Sequence, residues 1–469
     1  MATILLTGST GYIGHRLLSR LLLDNHKIIC CLRDVRRFRP PKGSENKISL
    51  LEIDFLYSNK LPDGIVPDVA FYLIHSMNKN GDYSDDESRC AENFSTACAE
   101  CQQVIYLSGI VNEEVLSPHL RSRLAVEKIL SEGKFSLTVL RAGIIIGSGS
   151  ASYEIIRDLV EKLPIMITPK WLNTYCQPIG IREVLDLLVK SILNSDLYNH
   201  NFDIGGKNIL TYRDMLLGYA RVRGLKRYIL TVPIMTPRLS SYWLYFVTST
   251  AYQLAVNLVD SMKVKVICRD QILQSKLGVN PTSYEESLMK ALQVSSLGKT
   301  PSSWHDSLIS GGHLYRLDDL IEVPKHGCFC DSRSLKSHNI QGSISKIFRI
   351  GGNNGWYAGN YLWKIRGFID KLCGGVGLRR GRRDDDNLEA GDTLDFWRVI
   401  KAQKEQGYLL LFAEMKLPGE AWLEFQVEGD FINQSATFRP RGLLGRIYWW
   451  CVLPLHGYIF SRMLKKIAQ

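Results

Sequence analysis

Three glycines near the start of the chain carry the clearest chemistry. Gly8, Gly11 and Gly14 stand three apart in Leu5-Leu6-Thr7-Gly8-Ser9-Thr10-Gly11-Tyr12-Ile13-Gly14. A short apolar run, Ile4-Leu5-Leu6, precedes them, and Arg16–Leu23 follows with leucines at helical spacing. The pattern is strand, tight turn, helix. Glycines let a backbone pass close to a pyrophosphate, and the free N–H groups at a helix start meet its negative charge. The stretch from Thr7 through Gly8, Ser9, Thr10, Gly11, Tyr12 and Ile13 to Gly14 is therefore expected to bind a dinucleotide.

A second strand is expected at Lys27–Leu32, followed at once by Arg33. An acid at this strand end would hold a ribose 2′-OH, whereas an arginine pairs with a 2′-phosphate. Arg33, with Arg36, Arg37 and Arg39 behind it, favours NADP(H) over NAD(H), although Asp34 leaves NAD(H) open. Further strands are expected at Ile48–Ile53, Val69–Ile74, Gln103–Leu107 and Leu137–Leu140, with helices between them. That alternation implies a doubly wound parallel sheet with helices on both faces.

The glycine spacing and element order resemble the extended and atypical branch of the short-chain dehydrogenase/reductase (SDR) superfamily, over roughly the first 290 residues. The resemblance implies an NAD(P)-binding Rossmann domain at 1–294, its nucleotide part at 1–150 and its substrate part at 151–294. It places Asp54 beside the adenine and His75 at a strand end facing the cofactor crevice. It gives Ser108 the role of polarising a substrate carbonyl. Lys128 takes the lysine position of the Tyr-x-x-x-Lys motif, where it would bond the nicotinamide ribose. The tyrosine position then falls on Leu124, which has no proton to give. His119, Ser122, His75 and Tyr175 are the candidate substitutes.

A chain of 469 residues is long for one domain, and its composition, 45% hydrophobic and 22% charged, is that of a globular protein. The N-terminus enters a strand directly, so no secretory leader is expected. The 11 cysteines are odd in number and scattered, which points to a reducing cytoplasm. Cys98 and Cys101 form a close pair, as do Cys328 and Cys330. Neither has a second pair at zinc-like spacing, so no metal is expected. The net charge of +11 suggests contact with an anionic surface, either lipid, as at the inner face of a membrane, or nucleic acid. No recognition-helix or zinc-finger pattern supports specific nucleic-acid binding. The uncharged run Tyr242–Val259 is expected to line a substrate pocket or lie at an interface. Nothing in the sequence sets an oligomeric state.

A small, polar linker is expected at 295–312, and a second domain at 313–469. Strands are expected at Ile344–Ile350, Asp392–Ile400, Gly407–Met415, Ala421–Val427 and Gln434–Arg439. A long helix, Leu443–Ile467, follows them, giving an α+β pattern in which a curved sheet grips one helix. A basic loop is expected between the strands over Arg366–Arg383. The stretches Glu414–Phe425 and Phe438–Trp450 resemble a domain of unknown function fused behind atypical SDR domains in many bacteria. That domain is similar to the START/Bet v 1 helix-grip fold, and the likeness implies an apolar small-molecule ligand. Taken together, the expectations are an oxidoreductase acting on a hydrophobic carbonyl, quinone or lipid-like molecule. The alternatives are a non-catalytic cofactor-binding sensor or assembly factor, and a carrier of hydrophobic ligands.

Overall fold

The computed structural model describes residues 2–33, 44–74, 84–113, 116–232, 259–296, 328–378 and 384–469, with single positions at 35, 38, 256, 323 and 382. The chain divides into two compact units, with the division between about residues 297 and 305. The expected linker 295–312 lies, from residue 297 on, outside the described residues, as do His75, Asp34 and nearly all of Tyr242–Val259.

In the first unit, strands β1 (Thr3–Leu6), β2 (Lys27–Leu32), β3 (Ile48–Glu52), β4 (Val69–Tyr72), β5 (Gln103–Gly109), β6 (Ser136–Ala142) and β7 (His200–Ile204) form one sheet. Its spatial order is β7-β6-β5-β4-β1-β2-β3, and every pairing is parallel. The order reverses beside β1, which makes the crevice at the C-terminal ends of β1 and β4 the topological switch point of a Rossmann fold. Strands buried on both faces need apolar side chains throughout, and Val69–Tyr72 is buried at all four positions.

The two faces have separate cores. Ile4, Leu6 and Phe71 pack with Leu17, Leu18 and Leu21 of α1 (Tyr12–Leu21) and with Val184, Leu187 and Leu188 of α5 (Ile181–Lys190). Leu5, Ala70 and Tyr72 pack on the other face with Phe94 of α2 (Ser84–Ala97) and with Val126 and Leu130 of α3 (Pro118–Ser131). A third cluster joins α4 (Ala151–Lys162), α6 (Tyr212–Val222) and α7 (Tyr284–Ser296) through Tyr153, Leu159, Met215, Tyr219 and Leu288. It forms the body of the subdomain that follows the sheet.

The second unit is a six-stranded antiparallel sheet closed by a long helix. Strands β8 (Phe329–Lys336), β9 (Trp397–Gln403), β10 (Tyr408–Ala413), β11 (Gly419–Glu428) and β12 (Phe431–Pro440) lie in the order β8-β12-β11-β10-β9, and Thr393–Leu394 adds the far edge. Two further helices, α8 (Ile340–Phe348) and α9 (Asn360–Leu372), stand between β8 and β9. The last helix, α10 (Gly442–Ala468), lays Ile459, Phe460, Met463, Leu464 and Ile467 against Val399, Leu411, Leu423, Phe425 and Ile432. Its terminal carbonyls are satisfied from outside: Ser343 donates to Ile467 O at 2.8 Å and Ser337 to Ala468 O at 3.1 Å. This is a helix-grip arrangement.

Two expectations for this unit are corrected, and one strand is added to them. Ile344–Ile350 is not a strand: Ile344–Phe348 belongs to α8, and Arg349 and Ile350 follow its end. Its buried residues Ser343, Ile344, Ile347 and Phe348 follow the helical period, and Asn339 caps it by accepting from Gly342 N at 2.9 Å. The basic stretch from Arg366 is not all loop, because Arg366 and Lys371 ride on α9. Strand β8 was not expected at all, yet its residues alternate between half-buried and exposed along their whole length.

Candidate functional site

The glycine turn closes directly after β1. Gly8 has φ +63°, a conformation that costs any residue with a Cβ. A Cβ at Gly8 would stand 2.7 Å from Leu73 O, and one at Gly14 only 2.2 Å from Gly8 O. Gly11 N donates to Gly8 O at 2.8 Å and closes the turn. The chain therefore doubles back on itself so closely that α1 begins against the carbonyl of Gly8. No acidic residue occupies the first turn of α1 and no side chain caps it. The first turn of this helix thus carries no negative charge of its own, which favours an anion there.

Several residues expected at the cofactor hold the turn in place. Thr7 is buried; its hydroxyl donates to Phe71 O at 2.9 Å and accepts from Leu73 N at 2.9 Å. Those bonds tie the end of β1 to the end of β4. Ser9 is wholly buried, while Thr10 and Ile13 are half-buried. The Tyr12 ring carries the Arg16 guanidinium 4.7 Å from its centroid, and burial pushes the Tyr12 phenol up to about 12. Arg16 in turn donates to Ser148 O at 2.7 Å. The turn is thereby anchored to the segment leading into α4.

Around this turn the other expected residues divide. Arg33 is exposed at the end of β2, open to solvent beside the crevice. Asp54 follows β3, and its Oδ1 accepts from Leu56 N at 3.0 Å, a local turn bond that needs no ligand. Ser108 lies at the C-terminal end of β5, in register with Arg141 of β6. Its Oγ is buried and has no hydrogen-bond partner among the described residues. A buried hydroxyl without a partner is uncommon.

Lys128 is the correction within this group. Together with Leu124, four residues before it, it lines a depression with Leu137, Asn199 and His200. Those three residues mark the N-terminal ends of β6 and β7, opposite the end that carries Ser108. Residues four apart share a helix face, so Leu124 and Lys128 look away from the glycine turn together. A different face of α3 meets β5. Arg123 donates to Leu107 O at 3.3 Å and to the Tyr106 hydroxyl at 3.5 Å, and His119 precedes it by one turn. Ser122 donates to the Glu87 carboxylate, and Glu127 holds Arg141 through Oε2 at 3.0 Å. Tyr175 is exposed. Sequence reasoning passed over Arg123; its spacing of four from His119 was the available signal.

The remaining chemistry is sparse. All cysteines are free, and Cys98 and Cys101 are buried, with their mutual hydrogen bond and then burial driving the Cys98 thiol far up. Among the described residues no group of three His, Cys, Asp or Glu side chains could hold a metal ion. No described helix is long and apolar enough to cross a membrane.

Comparison with known proteins adds the following. The family described as "Protein of unknown function (DUF2867)" matches residues 325–463. No curated protein matches the sequence. Among solved structures, UDP-glucose 4-epimerase of Thermotoga maritima is similar at 13% identity and a TM-score of 0.47, covering 63% of this chain and 99% of that one. A nucleoside-diphosphate-sugar epimerase of Staphylococcus aureus is similar at 13% identity and a TM-score of 0.48, covering 61% and 99%. The Bordetella bronchiseptica enzyme WbmG in complex with NAD is similar at 12% identity and a TM-score of 0.49, covering 65% and 96%.

Proposed function

We propose that the first unit binds NADP(H), in preference to NAD(H), with the pyrophosphate on the Gly8–Gly14 turn, and that the protein is an SDR-type oxidoreductase acting on a hydrophobic carbonyl, quinone or lipid-like substrate. The approach of Gly14 to within a Cβ's exclusion of Gly8 O, at the switch point of a parallel sheet, is the observation that carries this reading. Arg33 supports the 2′-phosphate. The bound nucleotide would supply the hydride. Ser108 Oγ would donate to the carbonyl oxygen, and His119, on the face of α3 that meets β5, is the group assigned to deliver the proton. Lys128 is left out, since it faces the other way. The helix-grip unit is read as START-like, and contact with an anionic membrane face is part of the same proposal.

A second reading is a cofactor-binding sensor or assembly factor without turnover. The loss of Ser122 to Glu87 favours it, because it strips a proton donor from α3, and Leu124 supplies none. One experiment separates the readings. Calorimetric titration of NADPH and NADH against the parent and Gly11→Asp, whose carboxylate repels the pyrophosphate, tests the cofactor site. NADPH oxidation with a panel of apolar aldehydes, ketones and quinones then tests turnover. Tight binding without turnover supports the sensor; no binding of either nucleotide overturns both readings.

A further inference from the structure

The second unit holds a half-open cavity of about 470 Å³ between the sheet and α9 and α10. Trp363, Met415, Phe438 and Phe460 give it apolar walls, and Arg366 and Lys416 stand at its rim, where Arg366 donates to Lys416 O at 3.1 Å. The volume falls in the range of small-molecule sites. Unlike a packed aromatic core, the cavity leaves polar work undone.

Three tryptophans, Trp356, Trp363 and Trp397, cluster here with centroid separations of 4.9 Å and 6.1 Å. A buried indole N–H ordinarily finds an acceptor. Trp356 Nε1 donates to Asp395 Oδ2 at 2.8 Å, and Trp363 Nε1 donates to Ala358 O at 3.2 Å. Trp397 lines the cavity, is buried, and has no partner for Nε1 among the described residues. His456, also in the lining, has a buried Nδ1 without a hydrogen-bond partner among them. Burial holds its imidazole down to about 4, so the ring is neutral at physiological pH despite the opposing pull of Asp331. A neutral ring against Trp449 and Phe460 offers a hydrogen bond without a charge.

We propose that this cavity binds an uncharged apolar molecule bearing a hydrogen-bond acceptor, of the ketone or ester class, with its oxygen taken by Trp397 Nε1–H and its chain held among the aromatic walls. Both unpartnered groups inside are neutral, and the cations stand at the rim. A carboxylate drawn inward would give up its hydration without meeting an opposite charge. The proposal does not rest on nucleotide binding in the first unit, and its test is run without nucleotide.

The test is equilibrium dialysis of the full chain against three probes of equal length: a medium-chain methyl ketone, the alkane and the fatty acid, with bound ligand quantified by gas chromatography. The ketone is expected to bind tightest. Trp397→Phe, which keeps the ring and removes the N–H, should weaken the ketone about three- to tenfold and leave the alkane unchanged. Ala436→Leu, which extends a side chain into the cavity from β12, should weaken ketone and alkane together. Circular dichroism establishes that each variant folds, and Ala436→Leu keeps the proposal testable should Trp397→Phe fail to. Failure of the ketone and the alkane to bind the parent overturns the cavity as a ligand site. Equal binding of ketone and alkane, or a ketone affinity untouched by Trp397→Phe, overturns the role of the indole. Tightest binding of the fatty acid overturns the neutral ligand in favour of a carboxylate at Arg366 and Lys416.

Discussion

Gly14→Ala probes the nucleotide turn most directly. The added Cβ would stand 2.2 Å from Gly8 O and 2.7 Å from Gly8 C, where contacts under 3.0 Å are essentially never found. The obstacle is backbone on both sides, so no side chain can swing away. The start of α1 must move by about 0.8 Å relative to β1, and α1 is pinned by Leu17 and Leu18 in the core and by Arg16 on Ser148. Overpacking of this kind costs about 1–3 kcal/mol. In a unit of this size that lowers the melting temperature by about 2–4 °C for each kcal/mol. The same displacement carries the helix N–H groups off the pyrophosphate, so NADPH affinity should fall by at least about tenfold, the equivalent of one charge-assisted hydrogen bond. Gly11→Ala is the control, because its Cβ would meet Gly8 O at 3.1 Å, a contact relieved by a few tenths of an ångström. Differential scanning calorimetry and isothermal titration on the parent and both variants give the answer. A Gly14→Ala protein that melts with the parent and binds NADPH equally well would refute the geometry of the turn.

Two further predictions concern the second unit. Arg398 is fully buried and donates through Nε to Glu414 Oε1 at 2.9 Å and through Nη1 to Gly391 O at 2.7 Å. Glu414→Gln takes the Glu414 carboxylate away from that buried guanidinium and should cost about 3–5 kcal/mol in urea unfolding, whereas Arg398→Met with Glu414→Leu should recover most of the loss. Asp395 is buried, and desolvation raises its carboxyl to about 6 against the bonds from Trp356 and Gly352. The folded state therefore holds this proton more tightly than the unfolded chain, and stability falls as pH rises from about 4 to about 6. The drop attributable to Asp395 is roughly 3 kcal/mol. Asp395→Asn should abolish it, so the stability difference between variant and parent, read from urea melts, should shift by that amount between pH 4 and pH 7. A constant difference would show that the carboxyl is not desolvated.

Much of this protein was legible without coordinates because local signals suffice where backbone conformation is set by neighbours in sequence. The Gly8–Gly14 spacing, the apolar run Val69–Tyr72 and the helical period of Leu443–Ile467 each announce an element, and the alternation of strands and helices announces a parallel sheet. Ile344–Ile350 misled because three isoleucines and a phenylalanine within seven residues suit strand and helix alike; Asn339, five residues upstream, decided for the helix. The face of α3 was illegible for a different reason. Leu124–Lys128 and His119–Arg123 both have the spacing of four, and only the packing of α3 on α2 and β5 turns one pair toward the strand end and the other away. Satisfaction of buried polar groups is likewise a tertiary fact. Trp356, Trp363 and Trp397 are alike in sequence, and only the positions of Asp395 and Ala358 leave the third without a partner. Sequence determines which segments are strands, turns and helices, since those depend on nearest neighbours; which side chains meet depends on residues far apart in the chain, and tertiary structure alone brings them together.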